Sequence, residues 1–480
     1  MIRHYQISLS GTRKITLVKS DMIVVNKLKG SIRLLITLAF GLFLSCADNV
    51  SDDSEFVVPI IIPTGNEKYL QENSDYIYDQ KSLRTYELKL PQSALDKIDA
   101  NPAAEEYVEG MLIFEGDTIS PVGIRYKGSV GAFVGCLTGD DWFNPSGKKI
   151  CSKLSMKVKI NWDGRESLFY NLKKIQFHAQ NLDKSQLHDR LAYWLFRSMG
   201  VNAPRAVHAR LMINGKYSGL YSLVEVIDSA FDNYNFDDTG GNLYKEVWPL
   251  TYKGTANNEQ AFLNALRTNE DENPSVELIK SFGERLEKAS NQAEINNIIS
   301  EYMDIKKIIS LAVVDRMIRN DDGWYHWYCF GDCGNHNYFW YEEPTNKKIN
   351  LIPWDLDNAF ENIEGNNNPV TPIADKWGET RNDCKPFPFG PAFIYQWSAS
   401  CDKLIGGWAS YEKEYEQIKK EFVSGPFSKA QVDALIDEWV AQIRDATVEA
   451  TNTHSDALNT NTWETEIGIL KSQLEFARNQ

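Results

Sequence analysis

Asn320-Asp-Asp-Gly-Trp-Tyr-His-Trp-Tyr-Cys-Phe-Gly-Asp-Cys-Gly-Asn-His-Asn-Tyr-Phe-Trp-Tyr341 and, after a polar loop, Ile349-Asn-Leu-Ile-Pro-Trp-Asp-Leu-Asp-Asn-Ala-Phe360 form the stretch around which the chain is organised. An apolar helical run, Ile305 to Ile318, feeds an acidic turn at Asp321-Asp322-Gly323. A strand bearing Asn337 follows, then a loop, then a short apolar strand that ends in Asp355 and Asp357. This order brings carboxylates and an amide from two turns towards one mouth. Such oxygen donors suit a hard cation carrying phosphate oxygens. By spacing alone the plainer reading is that these aspartates are turn formers.

Working outward, 480 residues suffice for two or three domains, or one domain of two lobes. The composition, 42% hydrophobic and 12% aromatic, is that of a globular protein. A net charge of −15 argues against nucleic acid as a partner. Residues 1–45 hold seven basic residues against one acidic, so without them the charge falls from −15 to −21.

Residues 31–46 have the shape of an export signal. Lys27, Lys29 and Arg33 precede the apolar run Leu34 to Leu44. That run is shorter than the ~20 residues a bilayer-spanning helix needs. It ends at Ser45-Cys46, which resembles a bacterial lipoprotein processing site with Cys46 as the lipidated residue. Residues 1–46 thus read as a signal peptide, with Met22 an alternative start that makes 1–21 an extension. Residues 47–80 read as an acidic, polar tether. The expected location is the outer membrane or cell surface, with the lipid as the membrane contact.

Cysteine usage agrees with export. Six further cysteines fall into sequence-close pairs, and an even count outside a reducing cytosol suggests disulfides 136–151, 329–333 and 384–401. A zinc site at Cys329 and Cys333 would need a second close pair.

Alternating patterns predict strands at 85–90, 107–114, 119–127, 154–160 and 174–178, with a helix at 185–199. Asp183 is placed to cap that helix and Gly200 to stop it. Val207–Ile213 and Gly219–Val226 flank Asn214-Gly215, a strong hairpin signal. Residues 253–303 and 411–480 read as helical, and 361–406 as a long loop. The expected fold is α+β.

Several motifs together resemble the spore coat protein H (CotH) kinase-like family. They are Asn181-Leu-Asp-Lys-Ser-Gln-Leu-His-Asp-Arg-Leu-Ala, Met199-Gly-Val-Asn-Ala-Pro-Arg, the hairpin from Leu211 to Asp228, Asn242-Leu-Tyr-Lys, Asp322-Gly, His336-Asn-Tyr and Ile352-Pro-Trp-Asp-Leu-Asp. The resemblance covers about 85–475 and has the cast of an exported Bacteroidetes-type lipoprotein. It implies a two-lobed, atypical protein-kinase-like fold. Residues 81–250 would be the β-rich N-terminal lobe and 251–480 the mainly helical C-terminal lobe, with the catalytic segment at 320–360. It further implies phosphoryl transfer from ATP to protein Ser or Thr with Mg²⁺ or Mn²⁺.

By that resemblance Asp322 is the catalytic carboxylate, and Asp355, Asn337 and Asp357 are the metal ligands. Lys245 contacts phosphate with Glu225 as its partner. Arg125 and Ser129, in Arg125-Tyr-Lys-Gly-Ser129, form a phosphate-facing loop. Bland readings stand beside these. Lys245 also reads as a surface strand-end lysine, and Glu225 as the partner of Arg190 or Arg205 in a buried ion pair. His326 and His336 read as structural rather than as metal ligands. An insertion at 129–152 and another at Cys329–Cys333 depart from the family pattern and flank the nucleotide mouth. A catalytically inactive surface lipoprotein that binds a protein or glycan is the alternative function.

Overall fold

Seven strands close into a barrel in the computed structural model, which describes residues 56–129, 131–139, 141, 143–272, 274–320, 322–360, 383–388 and 395–479. They are β1 (Arg84–Lys89), β2 (Val108–Phe114), β3 (Asp117–Tyr126), β4 (Met156–Lys159), β5 (Lys174–His178), β6 (Ala206–Ile213) and β7 (Lys216–Val224). Their order round the barrel is β1-β2-β3-β4-β5-β7-β6, antiparallel except where β1 meets β6. Alternation fixes which side chains fill it. Tyr86 and Leu88 of β1, Ile124 and Tyr126 of β3, Met156 and Val158 of β4, and Ile175 and Phe177 of β5 are buried together inside. The intervening residues therefore point outward. The β6–β7 turn follows its sequence signal, with Asn214 at φ 48° and Gly215 at φ 75°.

A second apolar core begins at Leu187 and runs to the C-terminal helices. It thus takes in the helix His188–Ser198, which lies before the expected lobe boundary at 250. The helix starts at His188, three residues later than expected, with Leu187 at its N-cap, and Asp183 accepts from the amides of Gln186 (2.9 Å) and His188 (2.7 Å) just ahead of and at its first residue. The helix Ile305–Met317 is capped by Asp304 and buries most of its length. Beside it lies a three-stranded sheet, β12-β11-β8, of β8 (Leu243–Lys245), β11 (Tyr338–Glu342) and β12 (Ile349–Pro353).

A four-stranded sheet was not expected. It is built from β9 (His326–Phe330), β10 (Asp332–Gly334), β13 (Phe387–Pro388) and β14 (Tyr395–Ser398), in the order β10-β9-β14-β13. Part of the predicted 361–406 loop is therefore strand and helix, the helix being Lys403–Ala409. The strand signal there was hidden by Pro and Gly, and the pairing is distant, Tyr395 with Cys329.

The three expected disulfides form: Cys136–Cys151, Cys329–Cys333 and Cys384–Cys401. Residues from Phe56 onward cluster as one compact unit. Among the described residues no helix is long and apolar enough to cross a membrane. Cys46 and the signal segment lie outside the described residues.

Candidate functional site

β11 and β12 end side by side, and that end carries the chemistry. Tyr338 pairs with Pro353, and the Trp354 amide donates to the Asn337 carbonyl at 3.2 Å. Asn337 (φ 63°) and Asp355 (φ 58°) are both left-handed, just outside the ladder. Such backbone costs energy for a non-glycine residue and clusters at functional positions.

Asp322 reaches the same place from the helix Ile305–Met317. Its Oδ1 accepts from His336 Nε2 (2.8 Å) and from the Tyr328 hydroxyl (3.1 Å). Its Oδ2 accepts from Asn337 Nδ2 at 3.1 Å. Burial would raise the Asp322 pKa, but positive groups around it, His336 foremost, hold it below the usual carboxylate range. Burial likewise opposes the charge on His336, and Asp322 overcomes it, raising the imidazole's pKa. The two form an ion pair when His336 is protonated. His326, just behind, is fully buried, and burial pushes its pKa down to about 4, so it is neutral.

Asp355 is the opposite case. Its backbone amide donates to the Tyr193 hydroxyl oxygen at 3.1 Å, but among the described residues its carboxylate accepts no hydrogen bond. Burial raises its pKa, Lys127 and His178 pull it down, and Asp189 and Asp322 push it up again. Asp357 is raised further, by burial and then by Asp355, Asp189, Asp322 and Asp183. Its Oδ1 accepts from Asn358 at 3.0 Å.

Across the mouth stands Lys127, directly after β3. Its Nζ lies 3.0 Å from His178 Nε2, and His178 Nδ1 lies 3.3 Å from Asp189 Oδ2. An ammonium only donates, so Nε2 is the acceptor and Nδ1 carries the proton towards Asp189. Asp189 sits in the first turn of the helix His188–Ser198, and its other oxygen is buried without a partner. Lys127 Nζ is 5.6 Å from the centre of the Trp354 ring. Burial lowers the Lys127 pKa, while Asp355 and Asp189 raise it.

The other expected residues fall as follows. Lys245, at the end of β8, is near enough to Lys127 to lower its pKa, and its closest carboxylate is Glu246 at 3.6 Å. Glu225 does not pair with it. Arg205 takes Glu225 with its backbone amide (3.0 Å), its Nε (3.1 Å) and its terminal nitrogen, because the β6–β7 register sets the two opposite each other. Arg125 is bridged to Glu105, and Glu105 also takes the Gly128 amide at 2.7 Å. In this conformation that amide is turned to protein rather than to phosphate. Ser129 contributes its carbonyl to the Ala132 amide at 3.1 Å.

Sequence reasoning missed Lys127, His178, Asp189 and Tyr328. Lys127 had a signal: strand alternation sets it on the face of Arg125.

Among the described residues no three His, Cys, Asp or Glu side chains form a ready cation cage. The donor set fits a Mg²⁺-like ion all the same. Such an ion keeps water and phosphate oxygens and takes only one or two protein carboxylates. Asp355 has a free carboxylate among mutually repelling acids, and Asn337 keeps its amide oxygen. A cavity of about 500 Å³, lined by Asn242, Asn269, Ser275, Tyr302, Glu342 and Lys347, lies at the far end of β11, away from this chemistry.

A family model described as CotH kinase protein matches residues 124–479. The chain belongs to the CotH kinase family. The match opens inside β3, so it takes in Lys127, Asp189, Asp322, Asn337 and Asp355 and leaves out β1 and β2. No curated protein matches the chain. Membership of the CotH family makes the chain kinase-like and suggests nucleotide use in general terms.

Proposed function

We propose that the chain is a two-lobed, metal-dependent phosphotransferase that moves the γ-phosphate of ATP to a protein Ser or Thr. The observation that supports this reading best is the convergence of Lys127, Asp322, Asn337 and Asp355 on one mouth. Asp355, with the amide oxygen of Asn337 and with Asp357 nearby, would hold Mg²⁺ or Mn²⁺. That ion would supply charge neutralisation on the phosphates.

Lys127 faces the phosphate side, oriented by His178 and Asp189, with Lys245 as a second cation. Asp322 would orient the acceptor hydroxyl and take its proton. Before it does so it must give up part of its bonding to Tyr328 or His336. Calorimetry with ATP and Mn²⁺ tests the reading. Metal-dependent binding is expected, and no heat at millimolar ATP with either metal ends it.

That full engagement of Asp322 favours a second reading, an inactive surface protein that binds a protein or glycan. In that case neither Asp322 nor Asp355 affects ligand capture. Export and lipidation at Cys46 belong to both readings. Labelled fatty acid should join the wild type and not Cys46→Ser, which should leave the membrane fraction. Failure of the wild type to take label removes the anchor.

A further inference from the structure

The outer face of the barrel beside Lys127 carries five cations, three of which have no carboxylate within ion-pair range among the described residues, and Glu109 borders its outer end opposite Gly123. Arg125 of β3 pairs in register with Lys157 of β4, and Lys157 with Gln176 of β5. One rung further out, Gly123, Lys159 and Lys174 pair across the same strands. Lys127 and His178 continue these strands inward, on the same face. Adjacent strands lie ~4.8 Å apart and diagonal partners on the order of 7 Å. Arg125, Lys157, Lys159 and Lys174 are therefore successive neighbours in a row that leads away from Lys127, on a chain whose net charge is −15.

Two of the five have their own carboxylate. Arg125 is bridged to Glu105, and Lys174 lies 3.8 Å from Asp228. Lys127 rests on His178, with Asp355 and Asp189 at longer range. Among the described residues Lys157 and Lys159 have neither a hydrogen-bond acceptor nor an ion pair. Burial, then Lys174, Lys127 and Arg125, push the Lys157 pKa down to about 8, with Asp228 opposing. The outer end is closed by Trp162. A Cβ on Gly123 would come within 2.3 Å of its ring, so the indole lies directly on that strand. Tyr107 sits between, its ring 5.5 Å from Trp162 and 5.1 Å from the Arg125 guanidinium. The result is a short cationic ledge that starts at Lys127 and stops at an aromatic wall.

We propose that Lys157 is the centre of a polyphosphate-binding ledge that takes phosphate groups beyond the one held at Lys127. A linear polyphosphate is the ligand that places successive charges along such a row, and binding relieves the repulsion among unpaired ammonium groups. Two sources share this chemistry, the tail of a nucleoside triphosphate and free inorganic polyphosphate. The inference deepens the phosphotransferase reading and rests on it for the identity of the donor, but the ledge itself is testable without transfer.

Calorimetry on the full folded chain with ATP, AMP and inorganic tripolyphosphate provides the test. Lys157→Met should weaken tripolyphosphate and ATP about tenfold or more and leave AMP unchanged. Lys157→Arg should restore most of the loss, and Lys413→Gln, on an exposed helix elsewhere, should change nothing. If only ATP weakens, the nucleotide tail is the occupant. If tripolyphosphate weakens equally, the ledge reads polyphosphate from either source. Unchanged affinities in Lys157→Met, or no binding of tripolyphosphate by the wild type, overturn the ledge. Tripolyphosphate binding by a wild type that transfers no phosphate supports the ledge and ends the transfer reading instead.

Discussion

Asp322 and Asp355 stand at one mouth and live in opposite surroundings. Three donors hold Asp322, one of them an imidazole whose charge it stabilises, and its pKa is depressed. Asp355 accepts no side-chain hydrogen bond among the described residues, sits beside Asp357 and Asp189, and its pKa is raised. The contrast separates roles. A carboxylate fixed by protein donors is already satisfied and needs no cation. A carboxylate left bare among other acids lacks a cation. Pairs of acids whose environments push their pKa values apart commonly divide the work of a site in this way.

The largest effect expected from breaking the contrast is at Asp355. Asp355→Ala should abolish Mn²⁺-dependent ATP binding, because it removes an anionic ligand that no protein donor satisfies among the described residues. Calorimetry that finds undiminished affinity would move the metal elsewhere. Next comes Asp322→Ala, which should leave nucleotide affinity nearly intact and lower kcat by ~10²–10⁴-fold, the usual effect of losing a positioned base. Equal losses of binding in both variants would show that the two acids do not divide the work.

The third effect is on stability and follows from sign. Asp357 has a folded pKa raised above its unfolded value. Its contribution is therefore present below about pH 4 and is lost as pH rises through the folded pKa. Asp322 runs the other way: its depressed pKa contributes stability above about pH 4 that disappears in acid. Asp357→Asn should therefore raise Tm at pH 7 by a few degrees and change it little at pH 4, while Asp322→Asn lowers Tm at pH 7. Scanning calorimetry without metal measures both. A Tm for Asp357→Asn at or below wild type at pH 7 would mean that the acids do not repel.

How much of this was legible differs by kind of signal. The barrel strands and the Asn214-Gly215 turn were readable because alternation and turn chemistry are local. The two acidic turns were readable for the same reason. The sheet that joins Cys329 to Tyr395 was not, because its partners lie far apart in the chain and one strand hides in a Pro-rich stretch. The phosphate-side cation shows the limit most clearly. Lys127 and Lys245 look alike in sequence, each a lysine at a strand end. Only tertiary contact distinguishes them: Lys127 meets His178 and, through it, Asp189. The buried pairing of Glu225 with Arg205, one of the plainer readings of the sequence, is met, since the hairpin register brings the two together.

The smallest expected effect on stability probes what holds Asp322. Tyr328 lies on β9, one residue before Cys329, and the Cys329–Cys333 bond ties β9 to β10. Closing so short a loop contributes about 2 kcal/mol on the chain-entropy model, or a shift of a few degrees in Tm for a chain of this size. Its larger consequence is positional. The bond fixes the hairpin whose Tyr328 ring lies 5.1 Å from that of His336 while its hydroxyl reaches Asp322. Replacing both cysteines by serine should therefore lower kcat several-fold with little change in ATP affinity, and Tyr328→Phe should reproduce the kcat loss without the loss in Tm. If the double serine variant slows transfer and Tyr328→Phe does not, the hairpin acts on the mouth by another route and Asp322 owes its position to His336 and Asn337 alone.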